Sequence, residues 1–198
     1  IPSYFGFGVP AYWGNMPFTD YPNYMGILVL LFAVIGFILH NNSVKYYFAL
    51  TAFIALLLSF GKHFFLYGVF YDYFPYFNKF RVPVMLLVLT QFSCCVLAGF
   101  GLDAAIKYLR EKANEKGFKV VMGIISSMLL IIFFLNISLD TSSFGRKSHP
   151  VLNPLRFDVV NSDTITGVII LLVAGGLLYV YKIGKLNGLL FTMGFTLL

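Results

Sequence analysis

The run VPVMLLVLTQFSCCVLAGFGL, at Val82–Leu102, decides the fold of this 198-residue chain. It carries no charged residue, and its length is close to the roughly twenty apolar residues that a helix needs to cross a hydrocarbon core of about 30 Å. Backbone polar groups cannot stay unpaired in lipid, so such a run must be helical. The whole chain is 59% hydrophobic and 11% charged, whereas soluble domains are about half apolar and about a quarter charged. The sequence therefore predicts an integral membrane protein.

Further apolar runs lie on both sides of this segment. Each is close to the length of a membrane-crossing helix, so we expect an all-α, polytopic transmembrane bundle of five full spans and a truncated sixth. The chain starts at Ile1 without a methionine and stops inside an apolar run, and we expect it to be an internal fragment of a larger protein. The other spans are predicted at Tyr24–His40, Lys45–Phe60, Val120–Ile137 and Thr164–Tyr181, with the incomplete one at Leu186–Leu198.

Basic residues set the predicted orientation of the bundle. The net charge is +6, and the positive residues gather at the ends of apolar runs, which indicates membrane topology rather than a nucleic-acid partner. The loop at 103–119 is rich in lysine and is therefore placed in the cytoplasm. We treat 1–198 as one transmembrane domain, with helices one to three within 24–102 and helices four to six within 120–198. Its outside loops are then 1–23, 61–81 and 138–163.

Polar residues inside the longest run have two readings. Thr90, Gln91 and Ser93 are uncharged, and hydrogen bonding to a neighbouring helix accounts for them more simply than a transport pathway does. Cys94 and Cys95 are adjacent and lack the spacing of a metal site or a redox motif, so we interpret them as small buried side chains. The spans therefore offer no chemistry of their own, and no metal or cofactor is expected.

The most unusual composition is SFGKHFFLYGVFYDYFPYFNKFRVP, at Ser59–Pro83. Lys62 and His63 follow the second predicted span, and Lys79 and Arg81 precede the third, so all four would lie at one membrane face. Cationic groups at that depth can hold a phosphate headgroup, and the planar fork of arginine suits phosphate oxygens. The rings between them would lie flat at the interface and could guide an acyl or isoprenoid chain. An aromatic belt with snorkelling anchors explains the composition equally well.

Asp72 is the one carboxylate of this segment, and a carboxylate can act as a general base on an acceptor hydroxyl. A single carboxylate in an outside loop is more often solvated or paired, so the catalytic residues stay unknown. The predicted substrate-binding residues are Lys62, His63, Lys79, Arg81, Asp72 and Tyr76.

Two blocks of the sequence resemble a known family. YWGNMPFTDYPNYMG at Tyr12–Gly26 and the segment at Ser59–Pro83, separated by one helical hairpin, resemble the bacterial YfhO family of large multi-spanning membrane proteins. That family is similar to the GT-C class of glycosyltransferases. The resemblance implies a polyprenyl-phosphate-linked sugar donor used at the outer face of the cytoplasmic membrane. It also implies that the catalytic acid lies outside this chain, which would form the donor-lipid side of the site.

The predicted function is therefore part of a membrane glycosyltransferase of the bacterial cytoplasmic (inner) membrane. It would move a sugar from the polyprenyl-phosphate donor to a cell-envelope polymer acceptor, with membrane lipid as a further partner. Two alternatives stay open: a lipid or polysaccharide transporter or flippase that uses the same segment as a headgroup gate, and a non-enzymatic membrane scaffold. No predicted span carries a charge near its middle, which weakens the transporter, and ionisable residues in the middle of the helices that this fragment lacks would favour it.

Overall fold

The structure, a computed structural model, describes residues 24–61, 64–77, 83–110, 115–138, 152–184 and 194–195. These residues form helices and turns and no strand, so the predicted all-α class is confirmed. The helices are α1 (Ile27–Leu39), α2 (Val44–Ser59), α3 (Phe65–Tyr73), α4 (Leu87–Arg110), α5 (Glu115–Ser138) and α6 (Leu152–Lys182). A four-residue 3₁₀ turn at Pro83–Leu86 leads into α4; the fixed φ of proline and its missing N–H suit the start of a helix.

Three helices of the described residues are long and apolar enough to cross a membrane: α4 with its turn (Pro83–Leu109), α5 (Glu115–Ser138) and most of α6 (Arg156–Lys182). The apolar helices α1 and α2 contain only 13 and 16 residues. At 1.5 Å per residue they reach about 20 and 24 Å, short of a hydrocarbon core of about 30 Å. The expected count of five full spans is therefore not confirmed. The predicted sixth span, at Leu186–Leu198, lies almost wholly outside the described residues.

The helix ends differ most from prediction where polar residues continue a helix. Helix α4 runs on to Arg110 and α5 begins at Glu115, so most of the segment predicted as a cytoplasmic loop at 103–119 is helical. Helix α6 begins at Leu152 and takes in the second half of the predicted outside loop at 138–163. Polar and charged residues such as lysine and glutamate have good helix propensity, and adding residues to an existing helix is easier than starting one.

Helices α1 and α4 meet in backbone contact at Gly36 and Gly101. A Cβ on Gly101 would meet the carbonyl oxygen of Phe32 and would lie 2.7 Å from its carbonyl carbon. A Cβ on Gly36 would lie 2.6 Å from the amide nitrogen of Gly101. Only glycine leaves room for this approach, which is how small residues let helices pack closely in membranes. On α1, Leu31 and Ile35 are completely buried.

Helix α2 is tied to α4 by a polar contact. The buried hydroxyl of Thr90 donates a hydrogen bond to the backbone carbonyl of Ala52 at 3.2 Å, which is the helix-to-helix role predicted for the polar residues of this span. Ser93 lies one turn further along α4 and is also buried, and its hydroxyl has no hydrogen-bond partner within the described residues. Helices α2 and α3 and the part of α4 up to Ala105 belong to one compact unit, the described part of Val29–Ala105.

A second compact unit is built on the packing of α5 against α6. Val121 and Ile125 are buried on α5, and Leu171 and Leu178 are completely buried on α6. A Cβ on Gly175 would lie 3.6 Å from the Cδ1 atom of Ile125, an ordinary van der Waals distance. At Gly175 the two helices therefore pack through side chains.

Candidate functional site

The two ends of the aromatic segment at Ser59–Pro83 lie close together in the structure. Gly61 follows α2 with a φ of +56°, and a Cβ there would lie 3.1 Å from the Cγ atom of Pro83. The left-handed conformation favours glycine, and the proximity of the proline ring leaves little room for a side chain. The chain therefore leaves α2 and enters the turn before α4 at neighbouring points. Along the chain, helix α3 lies between these two points.

Four aromatic rings hold α3 against the turn that follows it. Phe77 is buried, and its ring centroid lies 5.6 Å from those of Tyr67 and Phe70. Phe70 also stacks on Phe74 at 5.4 Å. Aromatic pairs at these separations add about 0.5–1.5 kcal/mol beyond the area they bury. We call Tyr67, Phe70, Phe74 and Phe77 the ring cluster; it orders a segment that the sequence predicted only as an aromatic loop.

The predicted site residues fall into two groups. Lys62, His63, Lys79 and Arg81 lie outside the described residues. Asp72 lies on α3 with its side chain exposed. Tyr76 lies in the turn after α3, is 74% exposed and has a φ of +66°, which is uncommon for a residue other than glycine.

Helix α6 carries a polar site that the sequence analysis missed. Arg156 is only 3% exposed, and its Nη1 atom donates a hydrogen bond to the Oδ1 atom of Asn153, itself buried, at 3.3 Å. The Oδ2 atom of Asp163 is also inaccessible to solvent. Buried charges are rare in proteins unless they are paired or hydrogen-bonded, because removing them from water is costly.

One sequence signal could have found this site. Buried positions recur along the whole of α6 at intervals that fit one helix face. They include Asn153, Arg156, Val160, Gly167, Leu171, Ala174, Leu178 and Tyr181. Counting back in threes and fours from the apolar half of this series leads directly to Arg156 and Asn153. The polar composition of that stretch instead predicts an outside loop.

A second polar contact joins the same end of α6 to α5. The side-chain amide of Asn136 donates to the Oδ1 atom of Asn161 at 3.0 Å and to the hydroxyl of Thr164 at 3.2 Å. The Thr164 hydroxyl in turn donates to the carbonyl of Val160 at 2.8 Å. Hydrogen bonds of this kind join helices inside membranes.

Basic side chains at helix ends make contacts with aromatic rings. Lys45, at the start of α2, is only 8% exposed and lies 5.3 Å from the ring centroid of Tyr46. In the second unit, the Nζ atom of Lys182 lies 3.9 Å from the ring centroid of Phe118. Cation–π contacts are favourable at such distances. These lysines belong to the helix ends that the positive-inside pattern predicts to be cytoplasmic.

His40 and Asp103 also lie at one of these predicted cytoplasmic ends. The imidazole of His40 stacks on the ring of Phe100 at 4.6 Å and nearly parallel to it. Its Nδ1 atom lies 3.8 Å from the Oδ2 atom of Asp103, whose side chain is 72% exposed. That distance is too long for a hydrogen bond, and an exposed pair of this kind contributes little stability. We interpret His40 as a packing residue.

No group of three or more histidine, cysteine, aspartate or glutamate residues within the described ranges could hold a metal ion. Cys94 and Cys95 are free thiols on α4, Cys94 half-buried and Cys95 exposed, so the prediction that both side chains are buried is wrong.

A comparison of the chain with protein-family models, curated proteins and solved structures finds no match in any of the three. The resemblance to the YfhO family therefore depends on the two sequence blocks alone, and it stays a prediction.

Proposed function

We propose that this chain forms the donor-lipid side of a membrane glycosyltransferase that uses a polyprenyl-phosphate-linked sugar. The observation that carries the proposal is the proximity of Gly61 to Pro83. Lys62 follows Gly61 directly in the sequence, and Arg81 stands two positions before Pro83. Consecutive Cα atoms are 3.8 Å apart, so the two pairs of basic residues are tethered to neighbouring points and can act on one phosphate.

The roles follow from the chemistry of the leaving group. An acceptor hydroxyl would displace the lipid phosphate with inversion at the sugar carbon, and negative charge would grow on the departing phosphate. Arg81 and Lys79 would stabilise that charge, assisted by Lys62 and His63. The ring cluster would offer an apolar wall to the isoprenoid chain beside them. Asp72 and Tyr76, both exposed, would bind hydroxyl groups of the sugar or the acceptor.

Sugar transfer in the full-length protein tests this proposal. Removing one group that stabilises developing negative charge typically lowers kcat by about a hundredfold to a thousandfold, and we expect a loss of that order in Arg81→Ala and Lys79→Ala. Lys119→Ala is the matched control, because Lys119 is exposed and its ion pair is with Glu115, at 3.7 Å on the same helix. Activity in both test variants equal to that of the control would reject the role.

The buried charge of α6 favours a second candidate, a lipid or polysaccharide transporter or flippase. Asp163 lies inside a candidate membrane span that begins at Arg156, and ionisable residues inside spans commonly mark transport pathways. Movement of a fluorescent lipid between the leaflets of vesicles containing the protein would test it. Loss of this movement in Asp163→Asn, with sugar transfer intact, would favour the transporter. Replacing Lys62, Lys79 and Arg81 together without any phenotype would support the scaffold alternative.

A further inference from the structure

Helix α3 presents an uncovered apolar stripe. Phe65, Val69 and Tyr73 follow one another at intervals of four residues and so share one face of the helix. Their side chains are 74%, 47% and 85% exposed, respectively, and the helix buries no residue. An exposed apolar stripe, beside helices that can cross a membrane, indicates that another surface covers it.

The direction of the stripe is fixed by the opposite face. Tyr67 and Phe70 point their rings at Phe77, which is buried. The ring cluster therefore prevents α3 from rolling about its axis. The stripe of Phe65 and Tyr73 is held outward, away from the ring cluster, rather than turning inward.

One carboxylate borders the stripe. Asp72 is exposed, and Gly68, four residues before it on the same side of the helix, is exposed and adds no apolar side chain there. A helix with an apolar stripe bordered by a charged group can lie in the plane of a membrane surface, with one side toward the acyl chains and the other toward the headgroups. A carboxylate at Asp72 then stays at headgroup level.

The covering surface is best supplied by the bilayer. The turn that contacts Gly61 passes directly into α4, one of the candidate spans, so α3 is tethered to the end of a membrane-crossing helix. The segment is rich in tyrosine, and a tyrosine ring has an apolar body and a polar tip that suit the lipid–water interface. We propose that α3 lies in that interface, with Phe65, Val69 and Tyr73 inserted among the lipid acyl chains. This inference requires neither a donor lipid nor transfer chemistry.

Tryptophan fluorescence can test the insertion, because Trp13 is the only tryptophan of the chain. The full chain carrying Trp13→Phe would receive Tyr73→Trp and be placed in phosphatidylcholine nanodiscs, with and without bromine on the acyl chains. Bromine quenches an indole that it touches, whereas iodide in the buffer quenches an indole that water reaches. We expect a loss of emission in the brominated discs and little loss with iodide.

Two control positions bracket this result. Phe134→Trp, on α5, replaces a side chain that is 71% exposed within a candidate span, and should be quenched by bromine. Glu115→Trp, at the first residue of α5, replaces a side chain that is 74% exposed, and should be quenched by iodide. If Tyr73→Trp does not reconstitute, Phe65→Trp reports on the same stripe with the same expectation.

Two outcomes would overturn the inference. Quenching by iodide alone would show that the stripe faces water. Quenching by neither agent would show that protein covers it, either a second copy or another segment of the same chain. Because no sugar or donor lipid takes part, a positive result would stand even if the proposed transfer activity failed.

Discussion

The contact between α1 and α4 predicts that Gly101→Ala destabilises the protein. The added methyl group would meet the carbonyl oxygen of Phe32 and lie 2.7 Å from its carbonyl carbon and 2.9 Å from the amide nitrogen of Gly36. Real Cβ atoms essentially never approach other atoms within 3.0 Å. All three neighbours are backbone atoms, so no side chain can rotate away, and the two helices must separate.

The magnitude follows from two opposing effects. Overpacking typically costs about 1–3 kcal/mol, and we expect the upper end because the backbone must move. Alanine has a better helix propensity than glycine by about 1 kcal/mol, which offsets part of that loss. The expected net loss in the free energy of unfolding is about 2 kcal/mol, which lowers the ratio of folded to unfolded protein by up to about thirtyfold.

Unfolding in mixed micelles with a rising fraction of SDS, followed by intrinsic fluorescence, measures this loss. Gly99→Ala is the matched control: it lies on the same helix, and a Cβ there has no atom within 4 Å, so its stability should be equal to or above that of the wild type. Gly36→Ala probes the same crossing, and the double variant should lose less than the sum of the single losses. Equal unfolding midpoints for Gly101→Ala and Gly99→Ala would refute the backbone contact.

Three further changes test the remaining contacts. Asn136→Leu removes the amide that bonds α6 and should lower stability by about 0.6 kcal/mol. Ser138→Ala removes a hydroxyl that bonds the carbonyl of Leu135 on its own helix and should leave stability unchanged; equal losses in the two variants would count against the contact. Thr90→Val removes the bond to α2, with a loss of up to about 1.7 kcal/mol in the same titration; an unchanged midpoint would contradict it. Phe77→Ala removes the buried ring of the ring cluster. Because such truncations cost about 3–5 kcal/mol in cores, proteolysis between α2 and α4 should accelerate. Phe133→Ala, at an exposed position, should leave that rate unchanged, and similar rates in both would argue against the cluster.

The sequence by itself determined the class of the protein and the approximate place of each described long helix. Those features depend on local properties: an apolar run in lipid must satisfy its own backbone hydrogen bonds, and only a helix does so within a single segment. The run at Val82–Leu102 therefore predicted α4 without any knowledge of its neighbours. Composition also marked Ser59–Pro83 as unusual, although it could not distinguish a binding site from an aromatic belt.

The tertiary structure decided how the helices meet and which polar residues are buried. Nothing local distinguishes Gly101, where a methyl group would overlap another backbone, from Gly99, where it would meet nothing. Nor does the composition around Arg156 reveal that α6 begins before it and carries it onto a buried face. Helix formation in lipid depends on neighbours along the chain, whereas close packing and burial depend on residues far apart in sequence, and only the folded chain brings those together.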